Sequence, residues 1–262
     1  MTTLARITYA YLRVGILNEL QYRANFWANL LQSFLGLATA LGGLGVVFYH
    51  TDNLGGWRGH ELAALVGVFF LMRGTIRILI QPSMEAFMDS VRKGTLDYVL
   101  LKPADGQLLV SVQRVSLWSL FDMALGVGVI VVALISGGVT VGPAHILAAL
   151  LTLFSGTLIV YSFYLMLATC AFWFIKIENI LVIFMSMYQA GRWPVGIYPQ
   201  MLQIILTFLV PVAFAVTVPA EALVGRMNVG GLLLSTLLAL ILLTVARWFW
   251  RFGVRHYAGA SA

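Results

Sequence analysis

The feature that most constrains this chain is a succession of long apolar runs with almost no charge inside them. They fall at about 26–49, 61–80, 108–135, 145–175 and 229–250, with a less regular one at 201–218. A helix rises about 1.5 Å per residue, so roughly 20 apolar residues cross a hydrocarbon layer about 30 Å thick. Of the 262 residues, 61% are hydrophobic and only 10% are charged, whereas a water-soluble domain is about a quarter charged. A chain this apolar cannot cover itself with its own polar surface, so lipid must be the solvent for much of it. The expected fold is all-α: a polytopic membrane protein with six transmembrane helices forming one transmembrane domain over 1–262.

Orientation follows from the basic residues, which concentrate on the cytoplasmic side of membrane proteins. With the N-terminus inside, only Arg58 and Arg226 of the 16 Lys and Arg fall outside. That split needs an even number of crossings and puts both ends in the cytoplasm. The net charge of +6 therefore reads as a topology signal and not as a nucleic-acid footprint, because the basic residues flank apolar runs. Trp27 and Tyr49 sit near the two ends of the first run, where aromatic rings favour the headgroup layer. Upstream, Leu4, Ile7, Tyr11, Val14 and Leu17 share a helical stripe from which Arg6, Arg13 and Glu19 are excluded, the pattern of an interfacial helix over 4–20. The N-terminus lacks the apolar core and small-residue cleavage site of a signal peptide, so the first span is expected to act as the targeting element.

Chemistry is sparse. The single cysteine, Cys170, lies inside an apolar run and reads as packing. His50, His60, His145 and His256 are scattered near span ends, so no metal site and no catalytic residue is expected. GxxxxGK[ST], HExxH and GxSxG are all absent from the sequence, so the chain is not expected to be an enzyme by itself or to hydrolyse nucleotide.

Four groups of polar residues stand out. In the 83–103 loop, Met84, Phe87, Met88 and Val91 form one stripe and Glu85, Asp89 and Arg92 another, with Asp89 spaced to pair with Lys93. Gly94 follows where a helix end favours a left-handed residue, and Thr95, Asp97, Tyr98, Lys102 and Pro103 lead back to the membrane. Such a short charged helix either docks on a soluble partner or lays its apolar stripe on headgroups. Arg73 and Arg77 share a face of the second span. The favoured reading is that they snorkel to the inner boundary. The functional one pairs them with Glu85 or Asp89, or has them line an inward-facing cavity for an anionic or amphipathic substrate. Asp122, about halfway along the third span, must be paired, protonated or facing water, and Gln113 and Arg114 lie near the inner end of that helix.

The other two groups follow the fourth span. Glu178, Arg192, Pro194, Tyr198 and Pro199 read as a bent cytoplasmic lead-in to the fifth span, preceded by the apolar 180–188, which is too short to span by itself. Pro211 and Pro219, with Glu221 beside them, break the fifth run and suggest a re-entrant or kinked outer segment.

Three stretches carry a family resemblance: Val91-Arg-Lys-Gly-Thr-Leu-Asp-Tyr-Val-Leu-Leu-Lys-Pro103, Gln189-Ala-Gly-Arg-Trp-Pro-Val-Gly-Ile-Tyr-Pro199, and Leu206-Thr-Phe-Leu-Val-Pro-Val-Ala-Phe214 with Val218-Pro-Ala220. With these the chain resembles a permease subunit of a type-2 ABC exporter, in the bacterial six-helix branch. The resemblance implies that 83–103 is a coupling helix seated on an ATPase subunit. It also implies an interfacial connecting helix at the N-terminus and an extracellular re-entrant element over 211–228. It further implies two permeases, alike or different, around a pathway in the bacterial inner membrane. Two separate ATPase subunits would sit beneath them and hold the ATP and Mg, with no cofactor in this chain. Rival readings are a non-transporting scaffold or sensor subunit, and an ion-coupled transporter that uses Asp122.

Overall fold

The computed structural model describes residues 23–139, 141–174, 179–226 and 229–257. The expected interfacial helix at 4–20, together with Lys176 and Glu178, lies outside the described residues. No strand is present among them; the elements are helices α1 Arg23–His50, α2 Gly59–Thr75, α3 Gln81–Arg92, α4 Asp97–Leu100, α5 Gly106–Ser111, α6 Leu120–Ser136, α7 Pro143–Thr169, α8 Ile180–Tyr188, α9 Gln200–Ile204, α10 Val218–Leu223 and α11 Val229–Arg255. Among the described residues five helices are long and apolar enough to cross a membrane, or six if the bent pair Gln200–Leu209 and Ala213–Leu223 is one span.

The organising element is α2, which is apolar on every side and buried on every side. Leu62, Leu65, Val68, Phe69 and Met72 are all at or near zero exposure, as expected for the central helix of a bundle. It packs chiefly along α6, while α11 packs along α7. Where hydrocarbon is the solvent, helix association depends on close van der Waals fit more than on burial of apolar area. Glycines supply that fit here. A Cβ on Gly126 of α6 would stand 2.5 Å from Leu71 N and 2.6 Å from Gly67 O, so the two backbones touch.

A π turn, Ile76–Ile80, joins α2 to α3 without a break, giving one 34-residue helix from Gly59 to Arg92. Proline explains the local geometry. Pro82 has no N–H to offer the carbonyl of Ile78, four residues earlier. That carbonyl accepts instead from the backbone N–H of Ser116 at 2.7 Å. Alongside, Ser83 Oγ donates to the Arg114 carbonyl at 2.8 Å and accepts from the Arg114 N–H at 3.2 Å. The 112–116 linker is thereby fastened to the junction of α2 and α3.

Three expectations change. The stretch 81–93 is not a loop helix standing apart from the second span but the continuation of that span. The third run does not start its long helix at Leu108: α5 is a separate helix, and after a break and a 3-10 turn the long helix begins near Leu117. Leu109 and Val110 are apolar because they are buried inside the protein, which hydropathy cannot tell from lipid contact.

The third change concerns the fifth run. Helix α9, with its π extension through Leu209, and the helix Ala213–Leu223 are bent against each other by 78°. A Cβ on Gly55 would lie 3.1 Å from Ile197 Cγ1, which puts the chain just before α9 beside the α1–α2 turn. Beyond α10, Arg226 returns to the same place, bonded to Glu61 and lying over the Trp57 ring. Between those points the Phe214 carbonyl reaches Gly156 midway along α7. The 200–226 segment therefore enters and leaves at the Trp57 end, a re-entrant hairpin bent at Pro211. The traverse from the Gly94 end to the Trp57 end is made by α8 and the 3-10 turns Gln189–Arg192 and Val195–Ile197.

Candidate functional site

A cleft of about 700 Å³ lies between α1, the α2–α3 junction and α8. Its polar lining comes from Gln32 and Thr39 on α1, Arg73, Arg77 and Gln81 on the long helix, and Gln189 and Arg192 just after α8. The apolar lining includes Leu31, Leu35, Val182 and Met185. Thr39 and Arg192 also border a smaller recess of about 100 Å³ that runs toward Leu44, Val66 and Trp193.

Asp122 organises this charge. Arg73 Nε and Nη2 donate to its two carboxylate oxygens at 3.1 and 2.6 Å, and Arg77 Nη1 lies 3.7 Å from Oδ2. Arg73 is buried and does not snorkel, Arg77 is part-exposed, and the acid that both arginines face is the buried Asp122 and not Glu85 or Asp89. Asp122 is in the first turn of α6, not halfway along a span, because α6 starts later than the apolar run does. The Arg73 guanidinium also sits 4.3 Å from the centroid of Phe70, and Gly36 leaves room for it: a Cβ there would be 3.7 Å from Nη1. Arg192 stands over the Phe69 ring at 5.5 Å, and Tyr188 stacks on that same ring at 5.2 Å, which fixes the end of α8 against α2.

Arg192 thus belongs to the cleft and not to a cytoplasmic lead-in. Pro194, Tyr198 and Pro199 are at the Trp57 end with Ile197, the opposite end from the one expected for them. Tyr198 closes the turn by donating its hydroxyl to the Ala190 carbonyl at 2.9 Å. Gln113, part-buried, and Arg114, exposed, lie in the linker just after α5 and not on the helix that carries Asp122. Pro211 and Pro219 are buried in the hairpin, with Glu221 half-buried in α10.

At the other end of the long helix the residues of 83–103 form a compact cap. Met84, Phe87 and Met88 are buried inside this chain, Phe87 against Phe172 and Trp250. The apolar stripe is therefore occupied and faces neither partner nor headgroups. The outward face is the charged one. Asp89 accepts from Arg92 Nη2 at 2.6 Å and from Lys93 Nζ at 2.7 Å, and Glu85 accepts from Gln81 Nε2 at 2.7 Å. Gly94 reverses the chain at φ +67°, as its position predicts. Beyond it Thr95 and Pro103 are exposed, Asp97 and Lys102 half-exposed, and Tyr98 and Leu101 are 74% and 82% exposed.

Two further ion pairs pass unseen in the sequence. At the Gly94 end, Asp105 caps α5 by accepting from the N–H groups of Gln107 and Leu108, and Arg247 of α11 grips its carboxylate. That hydrogen bond from Arg247 holds the Asp105 carboxyl below its ordinary range. Gln107 extends the network to Tyr161 of α7 at 3.1 Å. At the Trp57 end, Glu61 binds Arg226 at 2.7 and 2.9 Å and also accepts from the Arg58 N–H. These partners lie far apart in the sequence, 142 and 165 residues, and periodicity carries no such information. Gln32 and Thr39 did leave a signal: two polar residues seven apart in an apolar run share one helix face.

Residues 34–261 match the family described as ABC-2 family transporter protein. The chain belongs to that family, whose members are transporter permeases. It is a multi-pass membrane protein and the transmembrane component of its transporter, not the catalytic ATPase. No curated protein matches it.

Proposed function

We propose that the chain is the permease subunit of an ATP-driven exporter in a bacterial cytoplasmic membrane. It pairs with a second permease, the same chain or another, above two ATPase subunits that carry the ATP and Mg. The observation that carries this reading is the uninterrupted helix from Gly59 to Arg92. At about 1.5 Å per residue it is roughly 50 Å long, well beyond a hydrocarbon core of about 30 Å. With Gly59 at one face, its last turns stand clear of the other. One rigid rod therefore joins the arginine cleft at Arg73 and Arg77 to the charged cap at Asp89–Gly94. Force applied to the cap by a closing ATPase pair moves the cleft wall directly.

The cap offers a docking surface in Arg92, Lys93, Tyr98 and Leu101, and the α4 turn presents the two exposed apolar side chains. The sides of the membrane follow from charge: the Gly94 end carries Arg92, Lys93, Lys102, Arg251 and Arg255 and faces the cytoplasm. The Trp57 end and the re-entrant hairpin face outward. Arg73 holds Asp122 through two hydrogen bonds, which favours a structural ion pair over a proton carrier.

The test is recovery of the motor. The tagged chain, purified in mild detergent, should bring an ATP-hydrolysing subunit with it. Tyr98→Glu with Leu101→Glu should reduce that recovery at least tenfold at normal expression, as should Gly94→Val, which forces a β-branched residue to positive φ. Recovery of the chain with no nucleotide-binding subunit from native membranes contradicts the reading.

A further inference from the structure

The cleft carries an imbalance of charge that identifies what it binds. Three guanidinium groups, Arg73, Arg77 and Arg192, line it, and one carboxylate, Asp122, faces them. Among the described residues, three positive charges against one negative leave two positive charges. No acid among the described residues lines the cleft itself, and Glu85, on the exposed face of α3, is bonded to Gln81. Asp122 satisfies Arg73 by two hydrogen bonds but meets Arg77 only at 3.7 Å. Arg192 Nε is buried, and among the described residues no acceptor reaches it. A donor buried without an acceptor is costly unless a ligand supplies one.

Arginine presents a planar fork that matches the oxygens of a phosphate in pairs. A phosphate monoester carries about −1.5 to −2 charges near neutral pH, which balances the surplus. The remaining lining is hydrocarbon: Leu31 and Leu35 on α1, Val182 and Met185 on α8. Leu31, Leu35 and Val182 are more than half exposed along the rim, so the cleft opens sideways onto an apolar surface. Its volume of about 700 Å³ is within the range of sites for ligands of several hundred daltons. We infer that the cleft binds an amphiphile with a phosphate monoester head, the head between Arg77 and Arg192 and the apolar tail against α1 and α8. This deepens the permease reading by naming the chemical class its cleft takes. The source is either exported cargo or a resident bilayer lipid.

The test uses the full chain purified from membranes with the subunits that accompany it. Binding of dioctanoyl phosphatidic acid, dioctanoyl phosphatidylcholine and inorganic phosphate is measured by thermal shift and native mass spectrometry. Phosphatidic acid should bind at least tenfold more tightly than either of the others. Arg77→Gln and Arg192→Gln should each weaken it at least tenfold without changing phosphatidylcholine binding, and Arg192→Lys should restore part of the loss. Equal affinity for phosphatidylcholine, equal affinity for inorganic phosphate, or wild-type binding by both glutamine variants would overturn the assignment. Labelled phosphatidic acid in vesicles then separates the sources: ATP-dependent movement marks cargo and retention without movement marks a bound lipid, both in keeping with the site. Selective binding in a preparation that contains no ATPase would sink the exporter reading and leave the site standing.

Discussion

At the scale of single residues, the account rests on Asp122. A carboxylate inside the bundle is tolerated because Arg73 meets both of its oxygens and Arg77 stands close by. The pair adds little net stability by itself, since desolvation offsets most of the attraction, but breaking it leaves a buried charge alone. Asp122→Ala should therefore cost about 3–5 kcal/mol, seen as a lower melting temperature in detergent. Adding Arg73→Met should recover most of that loss, because it removes the stranded guanidinium. A double variant no more stable than the single one would show that Asp122 acts through some other partner.

At the scale of elements, glycine and proline set the geometry. The α2–α6 contact depends on Gly126, where any side chain collides with the backbone of Leu71 and Gly67, whereas a Cβ on Gly128, two residues on, meets nothing within 4 Å. Gly126→Leu should lower stability in detergent or abolish folded yield, while Gly128→Leu leaves both near wild type. Equal loss from the two would mean that α6 responds to helix propensity or lipid contact and not to its fit on α2. The same elements show what can be read from residue order. Apolar run length revealed five long helices, and the position of Gly94 and the spacing of Asp89 with Lys93 revealed the cap. The start of α6 was hidden because Leu109 and Val110 are as apolar in a protein interior as in lipid. The break at Pro211 was legible as a kinked or re-entrant outer segment, but the arm over 200–209 reads as part of a fifth span, because the two arms laid end to end have the length and composition of one. Only the contacts of Ile197 with Gly55 and of Arg226 with Glu61 reveal that both ends return to one face. Arg192 was misplaced with them, since its side of the membrane depends on where the traverse lies.

At the scale of the whole molecule, the long helix Gly59–Arg92 has an ion pair near each end and, in the function proposed above, acts as a lever. The Glu61–Arg226 pair over Trp57 ties the hairpin to the start of the long helix, and Asp105–Arg247 ties α5 to α11 near its finish. Between them the long helix passes the arginine cleft, and the proposed coupling requires cap, cleft and hairpin to move together. That arrangement works only if α8 and its 3-10 turns cross the membrane and 200–226 does not. Thiol labelling from outside intact cells tests this directly. With Cys170 replaced by Ala, single cysteines at Asn53, Gly196 and Asp97 should react with a membrane-impermeant maleimide at the first two positions and not at the third. Protection of Gly196 alongside labelling of Asn53, or labelling of Asp97, would contradict the account.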